Sequence, residues 1–279
     1  MPSVSVIIPC YNYARFLPAA VESVCAQTFR GFEIIIVDDG SPDDTAGVAM
    51  RMIEKHGDVE IRLIRQENKG LPGARNSGIA ASAGEYFLPL DADDILKPEY
   101  LEKVVAALDG CPSAAVAYSW TEYFGERTGV EPQGGFTLRN MLLRAGPSSA
   151  ALIRKSAWER VGGYNPAMKG FEEWEFYLSL FEAGYGGVVV TEPLFMYRRH
   201  EGSMVDRTNR DPVAIFRDLK LLHPRLFEPA LSRLSLGLAR AVIRLKYYTR
   251  DRVARHIYVN YPGLHNRLRE MKYTLTHGR

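Results

Sequence analysis

Residues 91–94 (Asp-Ala-Asp-Asp) place three carboxylates on one short turn that follows an apolar run. Like charges this close repel each other unless a cation or a proton relieves the repulsion. Mg²⁺ and Mn²⁺ prefer oxygen ligands and bridge to phosphate oxygens, so the turn predicts a divalent-cation site that faces a phosphate group. The alternative is a solvated acidic turn that caps the helix after Pro98, because short Asp-x-Asp strings are common.

A second acidic segment, residues 38–42 (Asp-Asp-Gly-Ser-Pro), ends another apolar run. A carboxylate in this position accepts hydrogen bonds from ribose hydroxyls or from the N–H groups of a base, which makes Asp38 and Asp39 candidates for nucleoside recognition. The alternative is a helix cap, since Ser41 suits the N-cap of a helix that starts near Asp43.

Residues 67–76 (Glu-Asn-Lys-Gly-Leu-Pro-Gly-Ala-Arg-Asn) combine two glycines with two basic side chains. The glycines permit close approach of the backbone to a ligand, and Lys69 and Arg75 supply positive charge. A helix that begins near Gly73 would also offer N–H donors to an anion. The segment favours phosphate binding, with a purely structural loop as the alternative.

Four apolar, β-branched runs separated by helical patterns must position these segments. The runs predict strands over residues 4–8, 32–37, 61–65 and 85–90. Strands that are apolar on both faces and joined by helices indicate an α/β fold whose parallel sheet is covered on both sides. Ligands of such sheets bind outside the C-terminal ends of the strands, which is where the polar segments fall.

The remainder of the chain mixes both periodicities. The pattern predicts a helix to about residue 108, a strand over 114–120, a helix over 137–144, an extended segment over 148–153, a helix over 172–183, a strand over 194–198 and helical structure from 211 to near 248.

The composition is that of an ordinary globular protein, with 279 residues, 46% hydrophobic and 24% charged. Three cysteines without CxxC spacing argue against a disulfide framework or a structural zinc site. No secretory signal opens the sequence, and no apolar run approaches the roughly 20 residues of a spanning helix. We therefore expect a cytoplasmic protein, with peripheral contact at the inner face of a membrane as a variant of that expectation.

The order and spacing of these motifs resemble glycosyltransferase family 2. The resemblance rests on residues 9–12 (Pro-Cys-Tyr-Asn), 38–41, 68–78 and 84–94, and it spans about residues 3–203. It implies the GT-A fold, a Rossmann-like, mostly parallel central sheet flanked by helices, with mostly inverting chemistry. It also implies a catalytic domain over residues 1–205, whose nucleotide-sugar-binding half extends to about residue 110 and whose acceptor-binding half follows. A basic, mainly helical C-terminal region over residues 206–279 completes the expected organisation.

The resemblance implies a donor site on the first half of the chain. Its expected lining is Pro9, Tyr11, Asn12, Asp39, Lys69, Gly70, Arg75, Asp91 and Ala92. By the same resemblance Asp39 recognises the base, while Lys69 and Arg75 lie near the base and the diphosphate. Asp91 contacts the ribose or supports the metal, and Asp93 is a direct ligand of the divalent cation, Mn²⁺ or Mg²⁺.

Residues 171–176 (Phe-Glu-Glu-Trp-Glu-Phe) resemble the family's Glu-Asp-Trp motif, in which the aspartate is the general base. The sequence departs from that pattern, because Glu173 stands at the base position with one more methylene. Glu172 and Glu175 remain alternative bases, and an acidic helix N-terminus favoured by the helix dipole is the structural alternative. Trp174 is a candidate for stacking on a sugar, with a core position as its alternative.

Residues 197–203 (Tyr-Arg-Arg-His-Glu-Gly-Ser) resemble a family segment near the end of the catalytic domain. By that resemblance His200 completes the metal shell, while Arg199 and Ser203 meet the diphosphate. Imidazole is a better ligand for Mn²⁺ than for Mg²⁺. A histidine on the surface without a ligand is the alternative.

The C-terminal region is strongly basic, with 14 Lys/Arg against 4 Asp/Glu from Arg217 to Arg279. One hypothesis is that it lies on anionic lipid near a lipid-linked acceptor. The alternative is a helical appendage that packs on the catalytic domain or on the second subunit of a homodimer. No reader motif accompanies the charge, so we do not expect a nucleic-acid partner.

The leading hypothesis is therefore an inverting, metal-dependent glycosyltransferase of polysaccharide or glycoconjugate biosynthesis. It would move a sugar from a UDP-, GDP- or dTDP-linked donor to a glycan or lipid-linked hydroxyl acceptor. A sugar nucleotidyltransferase is disfavoured because no Gly-rich basic loop follows the first strand, and an NAD-dependent dehydrogenase because no early strand precedes GxGxxG. A non-catalytic nucleotide-sugar-binding module of a glycan-assembly complex is the rival from another class.

Overall fold

The structure, a computed structural model, describes residues 2–138, 140–141, 147–168, 170–201 and 212–227. Contacts divide the chain into two compact units, Met1–Asn209 and Arg210–Arg279. Across the described ranges, no helix is both long and apolar enough to cross a membrane.

The first part of unit Met1–Asn209 alternates strands with helices. In chain order these are β1 (Val4–Cys10), α1 (Leu17–Cys25), β2 (Phe32–Asp38), α2 (Thr45–Lys55), β3 (Ile61–Arg65), α3 (Gly70–Ala80) and β4 (Tyr86–Pro89). β1 pairs in parallel with β2 and with β4, and β2 pairs in parallel with β3. The four predicted strands are thus present, and the α/β fold with its mostly parallel sheet is confirmed.

The second part extends the same sheet. Its elements are β5 (Ile95–Leu96), α4 (Tyr100–Asp109), β6 (Ala114–Gly125), β7 (Gly129–Glu131), β8 (Leu152–Arg154), α5 (Lys155–Val161), α6 (Glu172–Glu182) and β9 (Gly186–Arg199). The strands follow the order β3-β2-β1-β4-β8-β6-β9-β5, with β7 paired to β6. β8 runs antiparallel to β4 and β6, whereas β6 and β9 are parallel.

Three expectations about this second part were incomplete. The last strand covers Gly186–Arg199 rather than residues 194–198 alone, because the sheet accommodates Pro193 by shifts of register opposite Trp120. Of the segment predicted to be extended over residues 148–153, only residues 152–153 lie in a strand, β8. Helix α5 was not predicted. Of the predicted helix over 137–144, several residues lie outside the described ranges.

In the unit Arg210–Arg279, the described residues form helix α7 (Pro212–Leu222) and a short 3₁₀ turn (Pro224–Phe227). The prediction of a helix from residue 211 therefore holds at its start but fails before residue 224. The rest of the predicted helix, to near residue 248, lies outside the described residues.

Both faces of the parallel strands are covered. Val6 and Ile8 of β1 belong to an apolar cluster that includes Val21 of α1. Ile7 points to the opposite face, where Gly78 of α3 lies so close that an added Cβ would stand 2.4 Å from the Ile7 Cγ2. The absence of a side chain at Gly78 is what lets α3 pack directly on the strand.

Replacing Gly78 by alanine is therefore expected to lower the free energy of unfolding by about 1–3 kcal/mol, the usual cost of overpacking. Urea denaturation measures the change. Gly57→Ala is the control, because nothing lies within 4 Å of an added Cβ there. Equal stability of Gly78→Ala and the parent would mean that α3 does not approach β1 this closely.

Candidate active site

Asp38 and Asp39 close β2 at the C-terminal edge of the sheet, where both are buried. Asp39 Oδ1 accepts hydrogen bonds from Gln66 Nε2 (2.6 Å) and from the backbone N–H of Lys69 (2.9 Å). These bonds tie the end of β2 to the start of α3 and fix the carboxylate in place. Ser41 does not act as the N-cap of α2, which starts at Thr45 with Asp44 before it.

The segment after β1 lies beside this carboxylate pair. Ser41 Oγ donates to the Cys10 carbonyl (3.2 Å) and accepts from the Asn12 N–H (3.2 Å). Asn12 has a positive φ of 59°, and this turn leaves Tyr11 50% exposed. Pro9 itself is buried in β1 beside Val37, so it shapes the floor rather than presenting a face to solvent.

Helix α3 begins at Gly70, three residues before the predicted start. Gly70 has a positive φ of 74°, a conformation that glycine adopts without strain. Lys69 precedes the helix with an exposed side chain. The N-terminal end of α3 therefore lies beside Asp39, with Lys69 at its entrance.

The acidic turn follows β4 and leads into β5, so it does not cap α4, which starts at Tyr100. Ala92 and Asp94 are buried, while Asp91 and Asp93 are partly exposed. Asp94 Oδ1 accepts a hydrogen bond from the Arg198 N–H (2.8 Å), but no donor among the described residues contacts its buried Oδ2.

The turn carries more negative charge than its surroundings neutralise. Burial and the charge of Asp91 raise the pKa of Asp93 above its usual value. Burial and the charge of Asp93 raise the pKa of Asp94 still further. A cation at the turn would relieve this repulsion and favour the ionised carboxylates.

His200 meets the turn from the end of β9. Its Nε2 lies 3.0 Å from Asp93 Oδ2, and its ring packs on Phe16 with centroids 4.8 Å apart. The described residues contain no group of three or more His, Cys, Asp or Glu side chains arranged to hold a metal. Asp93 and His200 fit a cation that also takes phosphate oxygens, since Mg²⁺-type sites commonly use one or two side chains plus substrate phosphates.

Arg75 has a different environment from the one expected. Its side chain is 0% exposed and faces carboxylates rather than an open cleft. Its guanidinium contacts Asp91 Oδ1 (2.7 Å), Glu172 Oε1 (3.0 Å) and Glu173 Oε1 (2.7 Å). Burial alone would lower the pKa of Arg75, but the charges of these carboxylates raise it well above its ordinary value. The expectation that Arg75 meets the diphosphate is thus not supported by its position.

The three glutamates at the start of α6 occupy different environments. Burial and the charge of Glu173 raise the pKa of Glu172 to about 8. Glu175 is buried and accepts a hydrogen bond from Ser179 Oγ one turn later (3.1 Å). The side chain of Glu173 remains 21% exposed beside Arg75. Of the three, Glu173 is the most exposed carboxylate.

The structure brings most of the expected site residues to one edge of the sheet. Three of the expected residues, Trp174, Arg199 and Ser203, need separate description. Trp174 is 2% exposed and packs near Phe171, which favours its core alternative. Arg199 ends β9, where its carbonyl accepts a hydrogen bond from the Glu126 N–H (2.8 Å). Ser203 lies outside the described residues.

Two residues of this edge were missed from the sequence, Gln66 and Arg198. Gln66 Nε2 donates to Asp39, and the Arg198 Nε donates to the Asp93 carbonyl (2.8 Å). Arg198 belongs to the Tyr-Arg-Arg-His segment at residues 197–200, but its partner is a main-chain oxygen 105 positions away. Its place in that segment was the only feature of the sequence that pointed to a role at the site.

Sequence comparison gives the chain's relatives. The model of Glycosyl transferase family 2 matches residues 5–169. An uncharacterized glycosyltransferase of Nostoc sp. is 33% identical over 211 residues, which are 71% of this chain and 65% of that protein. Chondroitin synthase of Escherichia coli is 30% identical over 66% of this chain but only 27% of its own length. The chain therefore spans less than two thirds of these relatives.

Structure comparison gives the same fold at low identity. Staphylococcus aureus TarS in complex with UDP-GlcNAc has a TM-score of 0.70 and 19% identity, covering 91% of this chain and 75% of that one. The mannosyltransferase PcManGT from Pyrobaculum calidifontis, in complex with GDP-Man and Mn²⁺, has a TM-score of 0.61 and 18% identity, covering 98% and 81%. With a family match over more than half of its length, the chain belongs to glycosyl transferase family 2.

Proposed function

We propose that the chain is an inverting, metal-dependent glycosyltransferase that moves a sugar from a nucleotide-diphosphate sugar to a hydroxyl acceptor. One observation carries the proposal: Arg75 contacts Asp91 of the acidic turn and Glu173 of α6 with the same guanidinium. The acidic turn and an accessible carboxylate thus lie on two sides of one buried guanidinium. Family membership and the donor complexes of TarS and PcManGT support this assignment.

The donor half of the proposed site is the floor formed by the ends of β1, β2 and β4. Asp39 is held by Gln66 and the Lys69 N–H, which orients it toward the N–H groups of a base. The exposed ring of Tyr11 would pack on the base or ribose, with Asn12 beside it. Lys69 and the N-terminal end of α3, with Gly70, favour the negative charge of the diphosphate.

The metal half of the proposed site consists of Asp93 and His200, supported by Asp91. A divalent cation held there would neutralise charge on the diphosphate leaving group as the sugar bond breaks. Asp93 lies within hydrogen-bond distance of His200, so both side chains already point at one position. Arg199 at the end of β9, and Ser203 in the segment that follows, are proposed to meet the diphosphate.

Glu173 is proposed as the general base. Its carboxylate would take the proton of the acceptor hydroxyl while that oxygen attacks the anomeric carbon and the bond to the diphosphate breaks. Its ion pair with Arg75 uses Oε1, and a carboxylate has further lone pairs for the acceptor proton. Glu172 is buried against Arg75, out of reach of an acceptor hydroxyl, and so is the weaker candidate.

Arg75 is proposed to act through these carboxylates rather than on the donor. Because Arg75 contacts both Asp91 of the turn and Glu173 of α6, it fixes the distance between these two side chains. Breaking one of these buried pairs would leave charges unpaired, which is strongly destabilising. The donor and acceptor sides of the site are thus set by one side chain.

The acceptor and the biological setting are proposed from the relatives alone. The name of chondroitin synthase describes polysaccharide synthesis, which favours a glycan or lipid-linked hydroxyl as the acceptor, in polysaccharide or glycoconjugate assembly.

Binding to anionic vesicles at low salt tests whether the basic C-terminal region contacts lipid, and sedimentation equilibrium tests whether the chain forms a homodimer.

A donor screen tests the proposed function. Nucleotide release would be measured from UDP-, GDP- and dTDP-sugars with Mn²⁺ or Mg²⁺, and again with EDTA. The expected result is turnover of one donor class that EDTA abolishes. Binding of a donor without turnover, across a broad panel of acceptors, would instead favour a non-catalytic module. Turnover that EDTA does not reduce would contradict the proposed dependence on a metal ion.

A further inference from the structure

Arg198 joins the end of β9 to the acidic turn by its main chain and its side chain at once. Its backbone N–H donates to Asp94 Oδ1 (2.8 Å), and its Nε donates to the Asp93 carbonyl (2.8 Å). Both bonds bridge more than 100 positions of sequence. The residue thus contacts the turn at the Asp93 carbonyl and the Asp94 carboxylate, and neither bond uses Asp93 Oδ2, the atom that meets His200.

The guanidinium of Arg198 is held between two aromatic rings. Its Cζ lies 4.3 Å from the ring centroid of Phe124 and 5.0 Å from that of Phe16. Phe16 also packs on the ring of His200 at 4.8 Å between centroids. A planar cation suits this slot better than an ammonium, because it stacks on ring faces while its N–H groups stay in their own plane.

Residues at the end of β6 form hydrogen bonds with the end of β9 and with the residues that follow it. The Glu126 N–H donates to the Arg199 carbonyl (2.8 Å), and Glu126 Oε1 accepts from the Glu201 N–H (3.0 Å). Gly125 has a φ of 88°, and a Cβ there would stand 2.5 Å from the Arg199 carbonyl oxygen. The segment that carries His200 is therefore bounded on one side by β6 and on the other by the acidic turn.

We infer that Arg198 is a positioning residue that sets the distance between Asp93 and His200 and thereby tunes the affinity of the site for its divalent cation. The inference rests on the proposed function, because it takes Asp93 and His200 as the two side chains that hold the metal. Arg198 acts through the Asp93 carbonyl and the Asp94 carboxylate and does not itself contact the donor. Groups that orient metal ligands commonly change metal affinity 10–100-fold when they are replaced.

The test is a titration of the full chain with Mn²⁺ in the presence of UDP or GDP, followed by the electron paramagnetic resonance signal of free Mn²⁺. Arg198→Met keeps an unbranched side chain between the two rings but removes the N–H donor to the Asp93 carbonyl. We expect this variant to bind Mn²⁺ about 10–100-fold more weakly. Its affinity for the nucleotide in EDTA should stay that of the parent, because a purely positioning role leaves metal-free nucleotide contacts unchanged.

Arg127→Met is the matched control, since Arg127 stacks on Tyr123 at 4.0 Å in the loop that follows β6. It should bind Mn²⁺ as the parent does. Arg198→Lys is the second variant, for the case in which Arg198→Met does not fold. It keeps the charge, lacks the planar group, and should lose Mn²⁺ affinity several-fold.

Parental Mn²⁺ affinity in a folded Arg198→Met protein would overturn the inference. A loss of nucleotide affinity in EDTA would also overturn it, because Arg198 would then touch the nucleotide directly. Asp93→Ala separates this failure from that of the proposed function. If Asp93→Ala binds Mn²⁺ as the parent does, the metal site itself is misplaced; if it loses Mn²⁺ while Arg198→Met retains it, only the role of Arg198 is wrong.

Discussion

Replacing Asp93 by alanine is expected to lower the transfer rate by about 10³-fold or more while the protein stays folded. The physical reason is the loss of a ligand for the cation that neutralises the leaving diphosphate, an effect of several kcal/mol, and 1.36 kcal/mol corresponds to a factor of ten. Asp93 is also a partly buried carboxylate whose pKa is raised by desolvation and by the charge of Asp91, so removing it relieves repulsion in the metal-free protein. Nucleotide release and a thermal melt measure the two quantities.

Asp58→Ala is the control for this variant, because Asp58 is exposed and lies in the turn after α2. It should retain the parental rate and the parental melting temperature. An Asp93→Ala protein that transfers sugar at the parental rate, or whose residual rate ignores EDTA, would contradict a metal ligand at this position.

Replacing Glu173 by glutamine is expected to reduce kcat by about 10²–10⁴-fold, the usual contribution of a general base. Glutamine keeps the size of the side chain, and its amide oxygen can still accept from Arg75, which also keeps Asp91 and Glu172, but it cannot take the proton of the acceptor hydroxyl. Donor affinity should be nearly unchanged, since the proposed donor half lies at the ends of β1, β2 and β4 and at the start of α3 rather than on α6. Steady-state rates with saturating acceptor, together with donor binding by calorimetry, distinguish the two parameters.

Glu175→Gln is the matched control on the same helix. Glu175 is buried and bonded to Ser179, so its replacement should leave kcat within a few-fold of the parent. If Glu173→Gln keeps the full rate while Glu172→Gln loses it, the base is the neighbouring carboxylate. If all three variants keep the rate, the base does not stand on α6.

The sequence was sufficient for the strands of the first half because their physics is local. β1 and β2 are fully buried runs of mainly apolar residues bounded by polar turns, and such runs predict buried parallel strands without knowledge of their partners. Since the C-terminal ends of parallel strands share one edge, the grouping of Asp39 with the acidic turn followed from topology.

What the sequence did not reveal depends on contacts between distant positions. Arg75 reads as a cation beside a glycine-rich loop, which suggested an anionic ligand. Its partners Glu172 and Glu173 are 97 and 98 positions away, and only the packing of α6 on the donor half brings them together. The role of Arg198 was not predicted for the same reason. It donates a hydrogen bond to a main-chain carbonyl, and a pattern of side chains in the sequence does not indicate such a bond.

The length of β9 is another such case. The sequence pattern predicted a strand only over residues 194–198, directly after Pro193. In the sheet, shifts of register against β6 absorb the proline, and the strand continues to Arg199. That continuity is what delivers His200 to Asp93, so the metal half of the proposed site depends on an irregularity that pairing with β6 creates.

The most direct measurement is an anomalous difference map from crystals of the full chain grown with Mn²⁺ and the nucleoside diphosphate that it binds. The expected result is one manganese peak in coordination distance of both Asp93 and His200, with the diphosphate completing the shell. A manganese ion bound elsewhere, or a nucleotide bound with no metal beside Asp93, would contradict the proposed metal-dependent transferase site.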